Sequence, residues 1–220
     1  MRKATKNGWI EWGFKRFNRL FVRMNFHRMK VLSEAKESDF SHSLFLINHS
    51  SWWDSLILYY LNDQYVRSDG YGMMDEEGMN RFPFFSKIGV YSINTASRTH
   101  LLHSLNYSIE LLNRGKTVWI FPQGEEQHLE KRPLDFFNGI SYIAEKAPRI
   151  QVIPVSLYYT LEHHRKPNVY ILLGEPLSKE SYHTLPRKQK TIYFEKHCTE
   201  QLDRLKERII AEDHNGFTPI

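Results

Sequence analysis

A single α/β domain with a mixed, largely parallel sheet flanked by helices, preceded by an amphipathic helix, is predicted by three observations. Short apolar runs at 44–47, 117–121, 151–157 and 169–173 alternate with longer stretches of helical period. At 220 residues the chain suits one domain with a sizeable core. Its basic charge is confined to one end: residues 1–30 carry nine Lys and Arg against one acid, Glu11, while the remainder is slightly acidic. The chain therefore divides into a basic, membrane-association helix at 1–32 and an α/β domain at 33–220.

The elements follow in order. In the basic segment, Ile10, Phe14, Phe17, Leu20, Phe21 and Met24 share one side of a helical wheel. Lys15, Arg16, Arg19 and Arg23 share the opposite side, with Trp9 at a flank and Trp12 near the basic residues. Such a helix suits a membrane interface, its apolar side among acyl chains and its basic side among anionic headgroups. It equally suits a helix packed on its own domain with a solvated basic face. Polar residues 33–42 read as a linker or edge. Leu44-Phe45-Leu46-Ile47 reads as a buried strand, and Leu56 to Leu61 as a helix packed on it. Residues 67–87, rich in Gly, Met, Phe and acids, take no firm assignment; 78–85 is either an apolar lid or a packed loop. A helix at 99–114 is stopped by Gly115. A strand at 117–121, a helix at 136–147 and strands at 151–157 and 169–173 come next. A long polar helix at about 187–211 closes the fold.

Several function classes have no support. No stretch approaches the eighteen apolar residues of a membrane span, and no apolar block follows the basic start as in a signal peptide. The single cysteine, Cys198, excludes an internal disulfide and sits in a charged helical stretch unsuited to a nucleophile, so a cytoplasmic protein is expected. Neither a Gly-x-Ser-x-Gly elbow nor a Walker loop is present. His163 and His164 diverge on a strand, and His100 and His103 lack a third ligand, so no metal is expected. Nucleic acid is not expected as a partner, because the rest of the chain is slightly acidic.

The chemistry concentrates in Ile47-Asn48-His49-Ser50-Ser51-Trp52-Trp53-Asp54. His49 falls where the strand ends, and Asp54 in the first turn of the next helix. The imidazole can then fold back onto the carboxylate, which fixes its tautomer and supports its basicity. The product is a general base for a hydroxyl group. Ser50 or Ser51 would cap the helix. Ser51-x-x-Asp54 also fits a capping box, in which Asp54 serves only the backbone and His49 is an ordinary loop residue.

A second block, Phe121-Pro122-Gln123-Gly124-Glu125, follows the strand at 117–121. Together with Asn-His-x4-Asp it resembles the glycerolipid acyltransferase family, of the lysophosphatidate acyltransferase type. Gln151-Val152-Ile153-Pro154-Val155-Ser156-Leu157 resembles that family's late Val-x-Pro-Val strand, and Gly89 to Asn94 followed by Arg98 loosely resembles another motif. The resemblance spans roughly residues 40–175. Two departures stand out. Gln123 and Glu125 occupy places where the family usually has Glu and a small hydroxyl residue. Thr95 occupies the usual place of a motif arginine, with Arg98 nearby.

The resemblance implies direct attack of an acceptor hydroxyl on an acyl thioester, with His49 as base and Asp54 orienting it. The donor would be acyl-CoA or acyl-carrier protein, with no further cofactor. Arg98, Gln123, Gly124 and Glu125 would bind substrate, and Lys131 and Arg132 are further cationic candidates. Backbone N–H groups near Gly124 or at the helix start after His49 would stabilise the oxyanion. The acceptor would be a lysophospholipid of the 1-acylglycerol-3-phosphate type. A glycosylated or other neutral lipid is the alternative, because Glu125 and Glu126 repel an anion. The place of action would be the cytoplasmic face of a membrane, peripherally bound, with membrane lipids as partners. A non-enzymatic membrane adaptor and a lipid thioester hydrolase are the rival readings.

Overall fold

The structure, a computed structural model, describes residues 1–35 and 39–220, so positions 36–38 of the expected linker lie outside the described residues. The strands are β1 (Met29–Ser33), β2 (Ser43–Ile47), β3 (Gly70–Asp75), β4 (Val90–Ile93), β5 (Thr117–Ile120), β6 (Gln151–Thr160), β7 (Asn168–Leu173) and β8 (Thr218–Pro219). The helices are α1 (Gly8–Asn25), α2 (Asp54–Leu61), α3 (Glu76–Arg81), α4 (Arg98–Asn113), α5 (Gly139–Lys146), α6 (Lys179–Tyr182) and α7 (Arg187–Ile210). The strands form one sheet in the order β4-β3-β5-β2-β6-β7-β1-β8. From β4 to β6 every neighbouring pair is parallel; β7 runs antiparallel to β6, β1 parallel to β7, and β8 antiparallel to β1. This is the mixed, largely parallel sheet that the alternating pattern predicts.

Helices cover both faces, so the central strands bury both sets of side chains. Every residue of β2 and β5 is buried. Phe45 and Ile47 join a core with Val22 of α1 and Ile57 and Leu61 of α2. Leu44 and Leu46 point the other way, into a core with Leu112 of α4, Ile143 of α5 and Phe194 of α7. A continuous apolar run, rather than an alternating one, is what such strands need.

Three parts differ from expectation. β1 was not foreseen: it lies at the end of the basic segment and pairs in parallel with β7, Met29 opposite Val169. The expected boundary between residues 32 and 33 falls inside it. The unassigned stretch 67–87 contains β3, α3 and a 3₁₀ turn over Pro83–Ile88; the two glycines and half-buried pattern of β3 hid its strand period. The helix expected from Phe136 begins at Gly139.

The α1 helix packs on its own domain and leaves part of its apolar side exposed. Asn18, at its centre, is buried and donates to the Leu56 carbonyl of α2. Phe14 and Phe21 turn onto the domain, meeting Tyr59 edge-on at 4.9 Å and stacking on Trp53 at 5.1 Å. Lys15 and Arg19 pair with Asp63. Trp9, Ile10, Phe17, Leu20 and Met24 remain exposed, Trp9 at 82%. Residues before α1 are strapped to the domain: Thr5 and Asn7 donate to the carbonyls of Ser86 and Lys87, and Ser92 donates to that of Arg2.

The register places the site. Leu46 of β2 lies beside Ile120 of β5. His49 and Gln123 each follow three residues later, so both leave the sheet at the carboxyl ends of adjacent parallel strands, where such sheets present their ligand sites.

Candidate active site

His49 and Asp54 are in direct contact. His49 Nδ1 lies 2.8 Å from Asp54 Oδ2. Asp54 is fully buried and begins α2. Its Oδ2 also accepts the Ser50 and Ser51 amides at 2.6 and 2.9 Å, and its Oδ1 accepts the Tyr159 hydroxyl at 2.5 Å. A carboxyl group that receives this many donors acts as an acceptor only, so His49 Nδ1 carries the proton and Nε2 holds the free lone pair. Asp54 therefore serves the backbone amides and the imidazole at once. Neither serine caps α2: the N-cap position is Trp53, without a side-chain bond. The Ser50 hydroxyl is buried and has no hydrogen-bond partner among the described residues.

The rest of the loop is held from three directions. The Phe121 ring stacks on the imidazole at 4.0 Å and 15°. The Gln123 Oε1 accepts the His49 amide at 2.6 Å, and the Gln127 amide donates to the His49 carbonyl at 2.9 Å. Asn48 bridges to β6, its side chain donating to the Leu157 carbonyl and accepting the Leu157 amide. Tyr159, on the same strand, has its phenol pushed well above the usual range by burial and by the Asp54 charge. It stays a donor throughout the working pH range. Tyr159, Phe121, Gln127 and the bridging role of Asn48 escaped the sequence reading. Tyr159 stands 105 positions after Asp54, with no local signal to mark it.

The substrate-binding candidates scatter. Gln123 is buried, with its amide directed to Gln127 Oε1. Gly124 adopts φ +75 and lies against Phe137, where an added Cβ would come within 2.7 Å of the ring; glycine is required there. Glu125 and Glu126 are exposed. Arg98 is exposed at the first residue of α4, has no side-chain partner among the described residues, and lines neither of the two cavities described below. Lys131 pairs with Asp135, and Arg132 with Asp203. The amides nominated for an oxyanion are committed elsewhere: Ser50 and Ser51 to Asp54, and Gly124 to the Phe121 carbonyl. Burial of Cys198 pushes its thiol far up, which removes it as a nucleophile. Among the described residues no cluster of three His, Cys, Asp or Glu side chains is placed to hold a metal.

Two cavities flank the pair. One, of about 340 Å³, runs between α1, α2 and the sheet, walled by Phe14, Tyr59, Met73, Phe85, Trp119 and Phe121 among others. It reaches the site through Phe121, which touches His49, and Ser55, which follows Asp54. The other, a more open hollow of about 500 Å³, is bordered by Ser50, Ser51, His128 and Tyr159, with no Lys or Arg among the described residues of its wall.

The sequence model of the family described as Acyltransferase matches residues 23–158, a span that contains His49, Asp54 and Gln123 and ends one residue before Tyr159. The chain belongs to the acyltransferase family. The fold of this acyltransferase is similar to that of the 1-acyl-sn-glycerophosphate (LPA) acyltransferase PlsC from Thermotoga maritima, seen in a crystal structure. The TM-score is 0.61 at 19% identity, over 89% of this chain and 80% of that one. No curated protein matches the sequence. The chain is thus an acyltransferase enzyme, and His49 and Asp54 are in contact within the matched span.

Proposed function

We propose that this acyltransferase moves a fatty acyl group from acyl-CoA or acyl-carrier protein to a hydroxyl of a lysophospholipid of the 1-acylglycerol-3-phosphate type. The observation that carries the reading is the orientation of His49. With Nδ1 tied to Asp54, Nε2 has no partner among the described residues and serves as the base. The acceptor oxygen attacks the thioester carbonyl as His49 Nε2 takes its proton; the tetrahedral intermediate collapses and the thiolate leaves with a proton from the imidazolium. Asp54 stabilises that imidazolium, and Tyr159 and the two serine amides hold Asp54 in place.

The apolar cavity beside Phe121 is the acyl-chain site in this reading. Its volume lies within the roughly 300–1,000 Å³ of small-molecule sites. The exposed stripe of α1, continued by Trp52 on the His49 loop, supplies a membrane-facing surface. Arg16 and Arg23, exposed on the same helix, would meet anionic headgroups at the cytoplasmic face. No described helix is long and apolar enough to cross a membrane. The Thermotoga protein of like fold is named for the lysophosphatidate reaction, which supports the same acceptor class here.

A neutral acceptor, such as a glycosylated lipid, is the second reading. The exposed Glu125 and Glu126 and the cation-free wall of the open hollow favour it. Incubating the purified protein with labelled acyl-CoA and a panel of lysophospholipids and glycolipids decides between them. Acylated lysophosphatidate supports the first reading, acylated glycolipid alone the second, and free fatty acid without acylated lipid would mean a hydrolase.

A further inference from the structure

The cavity beside Phe121 contains an anomaly. Two of its wall groups, the Trp119 indole N–H and the Tyr59 hydroxyl, are buried without a hydrogen-bond partner among the described residues. Such orphans are uncommon, because a buried donor left unpaired is costly. Trp119 is only 8% exposed, and its ring stacks on Phe45 at 4.0 Å and 15°, which fixes the plane of the indole. Burial pushes the Tyr59 phenol up, so it remains a donor.

Each residue stands a short way along the chain from one that links the cavity to the site. Trp119 precedes Phe121 by two residues of extended chain, roughly 7 Å. Tyr59 follows Ser55 by one helical turn, roughly 6 Å. The sheet floor carries no side chain at Gly70, where an added Cβ would stand 2.8 Å from Trp119 Nε1 and 3.1 Å from Asn62 Nδ2. Both nitrogens thus lie beside the same glycine, and Gly70, Asn62, Tyr59 and Trp119 all line the one cavity. Asn62 Nδ2 gives one hydrogen to the Ser68 carbonyl and has a second left. The charges around this end are matched internally: Lys6 with Asp69 and Glu11, and Lys15 with Asp63. A neutral oxygen suits the place better than another charge.

We propose that the acyl chain this enzyme prefers carries a hydroxyl or keto oxygen along its length, held by Trp119, Tyr59 and Asn62. The proposal rests on the cavity being the acyl-chain site. An unsubstituted chain fills the same space but leaves those donors unpaired, and sites built around a hydrogen bond discriminate strongly against a ligand that lacks it.

The test compares acyl-CoAs of one chain length: unsubstituted, and hydroxylated or oxidised to the ketone at successive positions. The expected result is a kcat/KM preference of about 10-fold or more for one oxygenated position. In Tyr59→Phe and Trp119→Phe that ratio should collapse toward one. Equal rates, or faster use of the unsubstituted chain, overturn the proposal while leaving the acyltransferase reading intact. If none of these thioesters is turned over, the proposed function is what fails. Ligand-induced Tm shifts of the unmodified protein then decide the cavity's preference separately: a larger shift with an oxygenated chain supports the proposal, and equal shifts overturn it.

Discussion

The side-chain oxygen of Gln123 accepts the backbone N–H of His49 at 2.6 Å, bracing the loop that carries this histidine. A glutamate in the same place could accept that bond equally well, so the glutamine departs from the usual family pattern without losing the brace. Gln123→Ala leaves the part-buried His49 N–H without this acceptor and should lower stability by about 1 kcal/mol or more. It should lower kcat more than it raises KM, because His49 loses its aim. Gln123→Glu should restore both. Urea unfolding and steady-state kinetics on the two variants check this, and an alanine variant with unaltered kcat would show that the brace is dispensable.

His49→Ala should remove transfer by about 10²–10⁴-fold while leaving the fold in place, since the side chain contributes the base. Asp54→Asn should cost a similar factor or somewhat less. Tyr159→Phe should fall between it and the native protein, because three donors to Asp54 remain. Rates measured beside circular dichroism spectra separate lost chemistry from lost fold. Near-native turnover in His49→Ala would overturn the mechanism.

The sequence exposes this site only in part, and the reason is where each contact comes from. His49 and Asp54 are five residues apart, so one strand-to-helix junction determines their meeting, and the pattern shows it. Tyr159 comes from β6 and Gln127 from the loop after β5, and they reach the pair only through strand pairing. β2, β5, β6 and β7 were legible because burial on both faces gives continuous apolar runs. β3 carries Gly70, Gly72, Met73 and Met74 at half-buried positions, a composition that signals no strand. Arg98 was chosen for its distance from a motif; its exposure depends on the packing of α4, which spacing does not reveal.

Gly72 offers a direct probe of the cavity proposed for the acyl chain. It lies on its floor, and an added Cβ would meet nothing within 4 Å. Gly72→Leu should fill the space from β3 and shift the preferred acyl-CoA to shorter chains, with little change in Tm. Chain-length profiles of kcat/KM for both proteins give the answer. An unshifted profile would move the acyl chain elsewhere.

Membrane association is best tested on single faces of α1, because removing residues 1–30 would also take Met29 and Lys30 from β1 and the strap at Thr5 and Asn7. Replacing Phe17 and Leu20 by Glu alters only exposed positions. It should release the protein from anionic vesicles while leaving Tm nearly unchanged. Salt should weaken binding of the native protein, by screening Arg16 and Arg23 from the headgroups. Vesicle flotation that is indifferent to both changes would dismiss this surface.

The acceptor is the point on which Arg98 decides. It has no side-chain partner among the described residues, whereas Lys131 and Arg132 are held by Asp135 and Asp203. A phosphate approaching the dyad past the exposed Glu125 and Glu126 needs a compensating charge, and Arg98 is the motif cation left to supply it. Arg98→Ala should then raise the KM for lysophosphatidate about tenfold or more and change kcat little, the signature of lost ground-state binding. The KM for acyl-CoA should stay nearly constant. Raised ionic strength should mimic the substitution, since an exposed charge is readily screened. If lysophosphatidate is acylated equally well by Arg98→Ala, the phosphate is held elsewhere. If it is not acylated by the native protein while a glycolipid is, the exposed glutamates exclude the anion and the neutral hydroxyl is the acceptor.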